Sequence, residues 1–165
     1  MPRIVLIGMP GAGKSTVGRR LALSLRIRFI DTDRLLQERW GVSVRGLLER
    51  EGREGFLRRE EESVLSMDPP ADAVISTGGS VVYSAAAMGR LRGLGTVVYL
   101  RTDAASLARR TGDLRRRGVV AAEGTTLADL LAERAPLYER YADLSVDASR
   151  DGPDRVVERI RRLLP

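Results

Sequence analysis

The sequence predicts an α/β protein in which a central parallel sheet of five strands lies between two layers of helix. Three observations carry that expectation. Short apolar runs alternate with longer amphipathic stretches along the chain. Two of the runs, Ile4-Val5-Leu6-Ile7 and Val97-Val98-Tyr99-Leu100, are apolar without interruption. A glycine-rich motif follows the first of them directly. Alternating strand-like and helix-like segments mark parallel strands joined by helical crossovers, and continuous apolar runs suit strands covered on both faces. At 165 residues, with 43% hydrophobic and 30% charged residues, the chain has the mass for a single domain, 1–165, with a real core.

The elements follow in order. The first strand is expected over 3–8, ending at Gly8, and a helix over 14–26 presents Val17, Leu21 and Leu25 on one face. A short strand at 28–30 leads into helices at 33–40, 44–51 and 55–67, the last stopped by Asp68-Pro69-Pro70 because a proline disfavours helix at the residue before it. Strand 73–77, helix 84–94 and strand 96–101 come next, then a helix at 104–110. The segment 112–124 holds three consecutive arginines with weak apolar periodicity and reads as a mobile loop. A helix at 126–141 sets Leu127, Leu130, Leu131 and Arg134 on one face, and strand 144–147 and helix 153–163 complete the order. There is no internal repeat, low-complexity segment or interdomain linker.

Composition removes several kinds of chemistry. The chain has no cysteine and no histidine, which excludes disulfide scaffolds, Cys/His zinc sites, thiol nucleophiles and triads with an imidazole base. A proton taken from a substrate near neutral pH must go to a carboxylate, to water or to the substrate itself. The net charge is +6, yet basic and acidic residues interleave, as in Arg58-Arg59-Glu60-Glu61-Glu62, and aromatics are only 4%. Mixed charge of that kind is a solvated helix face, and too few rings are present for base stacking, so nucleic acid is not expected as a partner. No apolar run approaches the roughly 20 residues that span a bilayer, and the first residues are too few for a signal peptide; the expectation is a soluble cytoplasmic domain without a membrane partner. Of the 28 basic residues only Lys14 is lysine, and asparagine is absent. The position that kept lysine is one that needs an ammonium.

Gly8-Met9-Pro10-Gly11-Ala12-Gly13-Lys14-Ser15 fits G-x-x-x-x-G-K-[ST] after a strand and before a helix. Such a loop turns backbone N–H groups of Gly11, Ala12, Gly13, Lys14, Ser15 and Thr16 toward phosphate oxygens, with the helix N-terminus adding positive field. Lys14 would bridge the β- and γ-phosphates, and the Ser15 hydroxyl would ligand Mg²⁺. The motif predicts a bound nucleoside triphosphate. Without asparagine or a second lysine the N-K-x-D guanine motif is impossible, which favours ATP. After the second strand comes Asp31-Thr32-Asp33. Ligands of an open parallel sheet lie outside the carboxyl ends of its strands, which places Asp31 to hold Mg²⁺ through water and Asp33 to polarise an attacking hydroxyl. The plainer reading of Asp33 is a helix N-cap.

Taken together these motifs resemble the shikimate kinases along nearly the whole chain. Asp31-Thr32-Asp33 matches the family's D-x-D, Ser76-Thr77-Gly78-Gly79 its glycine-rich stretch, and Arg134-Ala135-Pro136-Leu137-Tyr138 its R-x-P-L-Y helix. The resemblance implies strand order 2-3-1-4-5, an acceptor-binding region around 33–62 and a lid around 112–124. It implies catalytic roles for Lys14, Asp33 and Arg117, nucleotide contacts from Arg110, Arg117 and Pro153, and acceptor contacts from Asp33, Gly78, Gly79 and Arg134. It further implies a monomer that uses ATP, Mg²⁺ and a small hydroxylated metabolite. Three positions depart from the pattern. Leu57 stands where the family's F-R-x-x-E motif has its carboxylate-binding arginine, Ser80 replaces a third glycine, and Arg117-Gly118-Val119-Val120 replaces R-P-L-L. Either the neighbouring Arg58 binds the carboxylate, or the acceptor is another small alcohol, such as a polyol or homoserine. A catalytically silent nucleotide-binding regulator is the reading from a different class.

Overall fold

The structure, a computed structural model, describes residues 3–111 and 118–165. Strands β1 (Arg3–Ile7), β2 (Arg28–Asp31), β3 (Ala73–Ser76), β4 (Gly95–Arg101) and β5 (Leu144–Asp147) form one sheet in the order β2-β3-β1-β4-β5, with every pairing parallel. The helices are α1 (Lys14–Leu25), α2 (Thr32–Trp40), α3 (Val44–Leu65), α4 (Ala85–Leu94), α5 (Ala104–Thr111), α6 (Leu127–Tyr141) and α7 (Pro153–Leu163). Ile4, Val5, Leu6 and Ile7 are all buried, although successive side chains of a strand point to opposite faces, so both faces of β1 are covered. Among the described residues no helix is long and apolar enough to cross a membrane.

Element ends shift by a residue or two from the expected ones, and the shifts have causes. Ser84 and Thr126, expected as first helical residues, are N-caps. Thr126 closes a capping box in which Oγ1 accepts from the Asp129 N–H and the Asp129 carboxylate accepts from the Thr126 N–H, both at 3.1 Å. The two helices expected at 44–51 and 55–67 are joined as α3, which breaks at Gly52, where φ is 70° and ψ −179°. Glycine takes that conformation without a Cβ clash, so the chain bends and continues.

The described residues form two apolar cores. The larger lies about β1, β3 and β4; the smaller holds Leu36, Leu47, Phe56 and Val120, with Trp40 and Leu57 packed against it. Val120 corrects the expectation of a mobile loop over 112–124: its side chain is buried among α2 and α3, which anchors the C-terminal part of that segment. Residues 112–117 lie outside the described residues. Register then gathers the site. Leu6 pairs with Ser76, and Ser76 with Asp31, so the turns after β1, β3 and β2 leave the sheet side by side at one edge.

Candidate active site

The turn after β1 is the predicted phosphate cradle. Gly11 has φ 85° and Gly13 φ 94°, and a Cβ on Gly11 would lie 2.3 Å from Thr111 Cγ2, so both conformation and space demand glycine there. Ala12 and Lys14 are buried, Ser15 is half-buried and Thr16 exposed. The Lys14 ammonium donates to the Gly8 and Met9 carbonyls at 2.6 and 2.8 Å. Burial pulls its pKa down to about 8, with the Asp33 carboxylate acting in the opposite sense.

Asp31 and Asp33 divide the work differently from the plain capping reading. The N-cap of α2 is Asp31, whose Oδ1 accepts from the Asp33 N–H at 3.0 Å, while its Oδ2 accepts from Ser15 Oγ at 3.1 Å. Asp33 is thereby released from capping and lines the cavity. Burial, reinforced by Asp31, raises its carboxyl to about 6, against the pull of Lys14. A hydroxyl and a carboxylate in contact at the end of the cradle are hard oxygen donors that fit Mg²⁺, which takes one or two such ligands together with phosphate oxygens and water. Among the described residues no group of three or more His, Cys, Asp or Glu is arranged to hold a metal ion.

The cavity has a volume of about 510 Å³ and runs from the cradle to the small core. Its far wall is the turn after β3. Thr77 Oγ1 donates to the Leu6 carbonyl at 2.8 Å, Gly78 N–H donates to Thr32 Oγ1 at 3.3 Å, and Tyr138 Oη donates to the Gly79 carbonyl at 2.6 Å. Gly78 and Gly79 thus line the cavity as expected. Arg134 also lines it and is 1% exposed. Its Nε donates to Tyr83 Oη at 3.1 Å and its Nη2 to the Val120 carbonyl at 2.5 Å; this side chain ties α6 to the anchored end of the 112–124 segment.

Arg58 is not brought to the site. It is exposed on α3 and absent from the cavity wall, whereas Phe56 and Glu60 line it. One helical step turns a side chain by about 100°, which sends Arg58 to solvent. Leu57 packs on the small core, and Arg59 pairs with Glu51 at 3.1 Å while lying 4.3 Å over the Trp40 ring. No arginine of this stretch faces the cavity.

Sequence reading missed Glu60. It is 5% exposed, and its Oε1 accepts from Ser80 Oγ at 2.7 Å. Burial raises its carboxyl to about 8; Asp33 adds to the rise, and Ser80, Arg134 and Lys14 oppose it. A signal was present: Phe56, Glu60 and Val64 are spaced by four, so the acid falls on the inward face of its helix.

A smaller cleft of about 260 Å³ shares Gly13, Thr16 and Arg110 with the main cavity and is closed by Ala148, Gly152 and Pro153. Arg110 Nη2 donates to the Ala148 and Ser149 carbonyls at 2.9 and 3.0 Å, and Pro153 opens α7. Arg110 and Pro153 therefore meet at the mouth of a slot beside the cradle. Arg117 lies outside the described residues.

The family model described as "Shikimate kinase" matches residues 10–165. A shikimate kinase of Mycobacterium avium is 43% identical over 168 residues, covering 99% of this chain and 94% of that one. One from Thioalkalivibrio sulfidiphilus is 40% identical, covering 96% of this chain and 85% of the relative. Among solved structures, a shikimate kinase from Acinetobacter baumannii in complex with shikimate superposes with a TM-score of 0.88 at 32% identity, covering 99% of this chain and 92% of that chain. A sugar kinase from Janibacter shares the fold, at TM-score 0.60 and 17% identity over 98% of this chain and 93% of that one.

Proposed function

This chain belongs to the shikimate kinase family, and on that premise we propose that it transfers the γ-phosphoryl group of ATP to a hydroxyl of shikimate. The observation that carries the reading is that the phosphate cradle and Asp33 open onto one cavity, so donor and acceptor meet in a single enclosure. Proximity of that kind turns a bimolecular transfer into an intramolecular one.

In this reading the backbone N–H groups of residues 11–16 hold the phosphates, and Lys14 exchanges its two carbonyl partners for phosphate oxygens. Ser15 and Asp31 would hold Mg²⁺, which would supply positive charge against the phosphates. The slot at Arg110 and Pro153 takes the nucleotide base, and the family resemblance gives Arg117, which lies outside the described residues, a catalytic role toward the phosphates. Asp33, with its carboxyl raised only to about 6, is mainly ionised at neutral pH and accepts the proton of the attacking hydroxyl. Gly78, Gly79 and Arg134 form the acceptor wall. All these groups come from one chain, which we take to act as a monomer in the cytoplasm.

A second acceptor class is favoured by one observation: Leu57 sits in the small core and Arg58 faces solvent, so α3 offers no guanidinium to a carboxylate. A polyol or homoserine needs none. A coupled ADP-release screen over shikimate, quinate, homoserine, threonine, gluconate and inositols decides between them. Shikimate is expected to give the highest kcat/KM; a higher value for an uncharged polyol would establish the second reading.

A further inference from the structure

A second large cleft lies away from the cradle and the acceptor wall. It has a volume of about 410 Å³ and sits between β5 and α7, at the edge of the sheet. That size is within the usual range for small-molecule sites. None of its lining residues borders the main cavity, and the transfer reaction gives it no task.

Helix α7 sets the chemistry of the cleft. Val156, Val157 and Ile160 turn inward to the large core, so Arg159, Arg162 and Leu163, spaced by three and four, share another face. Leu163 is left half exposed there and forms the apolar part of the lining with Val146. The acids of the cleft are already engaged. Asp147 Oδ1 accepts from the Ser149 N–H at 2.8 Å, and Asp151 is ion-paired with Arg159. Arg162 is paired only with Glu158 on the exposed side of α7, and a surface pair of that kind holds weakly. Arg150 has no hydrogen-bond or ion-pair partner among the described residues. Two available cations beside apolar surface remain. The edge itself favours a small ligand over an added strand, because β5 has only four residues and Arg159 Nη1 already donates to its Asp147 carbonyl at 3.0 Å.

The cleft also touches the nucleotide side through one residue. Asp151 lines the 260 Å³ slot beside the cradle as well. Its carboxylate is held by Arg159, with Arg155 Nη1 3.9 Å from Oδ1. An anion in the outer cleft competes with Asp151 for Arg159 and slackens the turn 148–152 that closes the slot.

We propose that the cleft between β5 and α7 is a second ligand site, which takes a small organic anion with an apolar body and weakens nucleotide binding through the Arg159–Asp151 pair. Arg150 and Arg162 bind the anionic group, and Val146 and Leu163 receive the apolar body. The link, though not the site, rests on the reading of the slot as part of the nucleotide site.

The test uses 2-naphthoate, followed by its own fluorescence, with wild type, the double variant Arg150→Gln/Arg162→Gln, Leu163→Ser and Arg159→Met. Inorganic phosphate, which lacks the apolar body, and 2-naphthol, which lacks the charge, serve as comparison probes, and thermal melting controls for folding. Wild type should bind naphthoate at least about tenfold more tightly than either comparison probe; the double variant should lose about tenfold and Leu163→Ser about threefold. Saturating naphthoate should raise the ATP Kd of wild type about fivefold, and ATP should raise the naphthoate Kd by the same factor. Arg159→Met should bring that factor below about twofold. Unchanged naphthoate affinity in the double variant overturns the site, as does equal binding of phosphate or naphthol. If the double variant melts early, Leu163→Ser decides in the same way. Full exclusion of naphthoate by ATP that persists in Arg159→Met would put the probe in the main cavity and overturn the proposal too. Failure of wild type to bind ATP would instead defeat the proposed function, and the naphthoate titrations would still decide the site.

Discussion

The two halves of the cavity are built by opposite means. The phosphate cradle at the centre of the nucleotide half comes from one contiguous stretch, Gly8 to Thr16, and its recognising groups are mainly backbone N–H donors fixed by glycines with positive φ. The acceptor half is assembled from side chains on α2, α3, α6 and the turn after β3, with Asp33, Glu60 and Arg134 at its wall. The first half depends on the shape of a loop, the second on the packing of several helices. A conservative side-chain change should therefore be most damaging at Lys14, whose ammonium sits inside the cradle itself, and graded across the acceptor half.

The largest effect is expected from Lys14→Arg. Lys14 is 8% exposed and its ammonium lies between two carbonyls, a space suited to a compact donor and not to a planar guanidinium. Turnover should fall by about 10³-fold, the order of loss seen when a transition-state donor is removed. Activity within about threefold of wild type, ~0.65 kcal/mol of barrier, would show that the cradle tolerates any cation.

Asp33→Asn comes next and separates the halves. Turnover should drop by about 10² while ATP affinity by titration stays within about threefold. In wild type kcat/KM should fall as pH drops through about 6, because the raised carboxyl takes up the proton it must otherwise accept. That limb should vanish in the variant. Joint loss of ATP affinity and turnover would assign Asp33 to the nucleotide half.

Glu60→Gln tests the electrostatics of the acceptor half in the folded protein without any substrate. The fold raises this carboxyl from 4.5 to about 8, so it favours the protonated form. The contribution is fully present below about 4.5 and is lost as pH rises through about 8. Denaturant unfolding should show the glutamine variant gaining on wild type across that window, by up to roughly a few kcal/mol. A constant difference would mean that Glu60 is ionised throughout.

The smallest effect belongs to Arg58→Ala. The side chain is exposed and away from the cavity, and such substitutions usually fall within ±0.5 kcal/mol. Acceptor kcat/KM should stay within about twofold in ADP-release assays. A larger loss would show that α3 turns when the acceptor binds.

The same contrast explains what was legible in the sequence. Gly8 to Ser15 could be read because spacing along the chain is the geometry of the cradle. The sheet could be read because Ile4–Ile7 and Val97–Leu100 are apolar throughout, and its strand order followed from family resemblance. Glu60 was hidden in Glu60-Glu61-Glu62, a run that looks like a solvated face. Folding separates the three: Glu60 turns inward to Ser80, Glu61 accepts from Ser84 Oγ, and Glu62 pairs with Arg59 at the surface. Arg58 was misplaced for the complementary reason, since adjacency along a helix is not adjacency in space. Val120 was read as loop because its partners Leu36, Leu47 and Phe56 are remote in sequence.

The solitary lysine has a practical consequence. Apart from the amino terminus, Lys14 is the only aliphatic amine in the chain. Burial brings its pKa down to about 8, so a large share of it is an uncharged nucleophile in mildly alkaline buffer. An acylating reagent small enough to enter the cavity can thus leave at most one side-chain adduct, and that adduct lies on the phosphate cradle. Mass spectrometry of that single label, with and without ATP as a shield, becomes a direct gauge of how much of the protein holds its nucleotide.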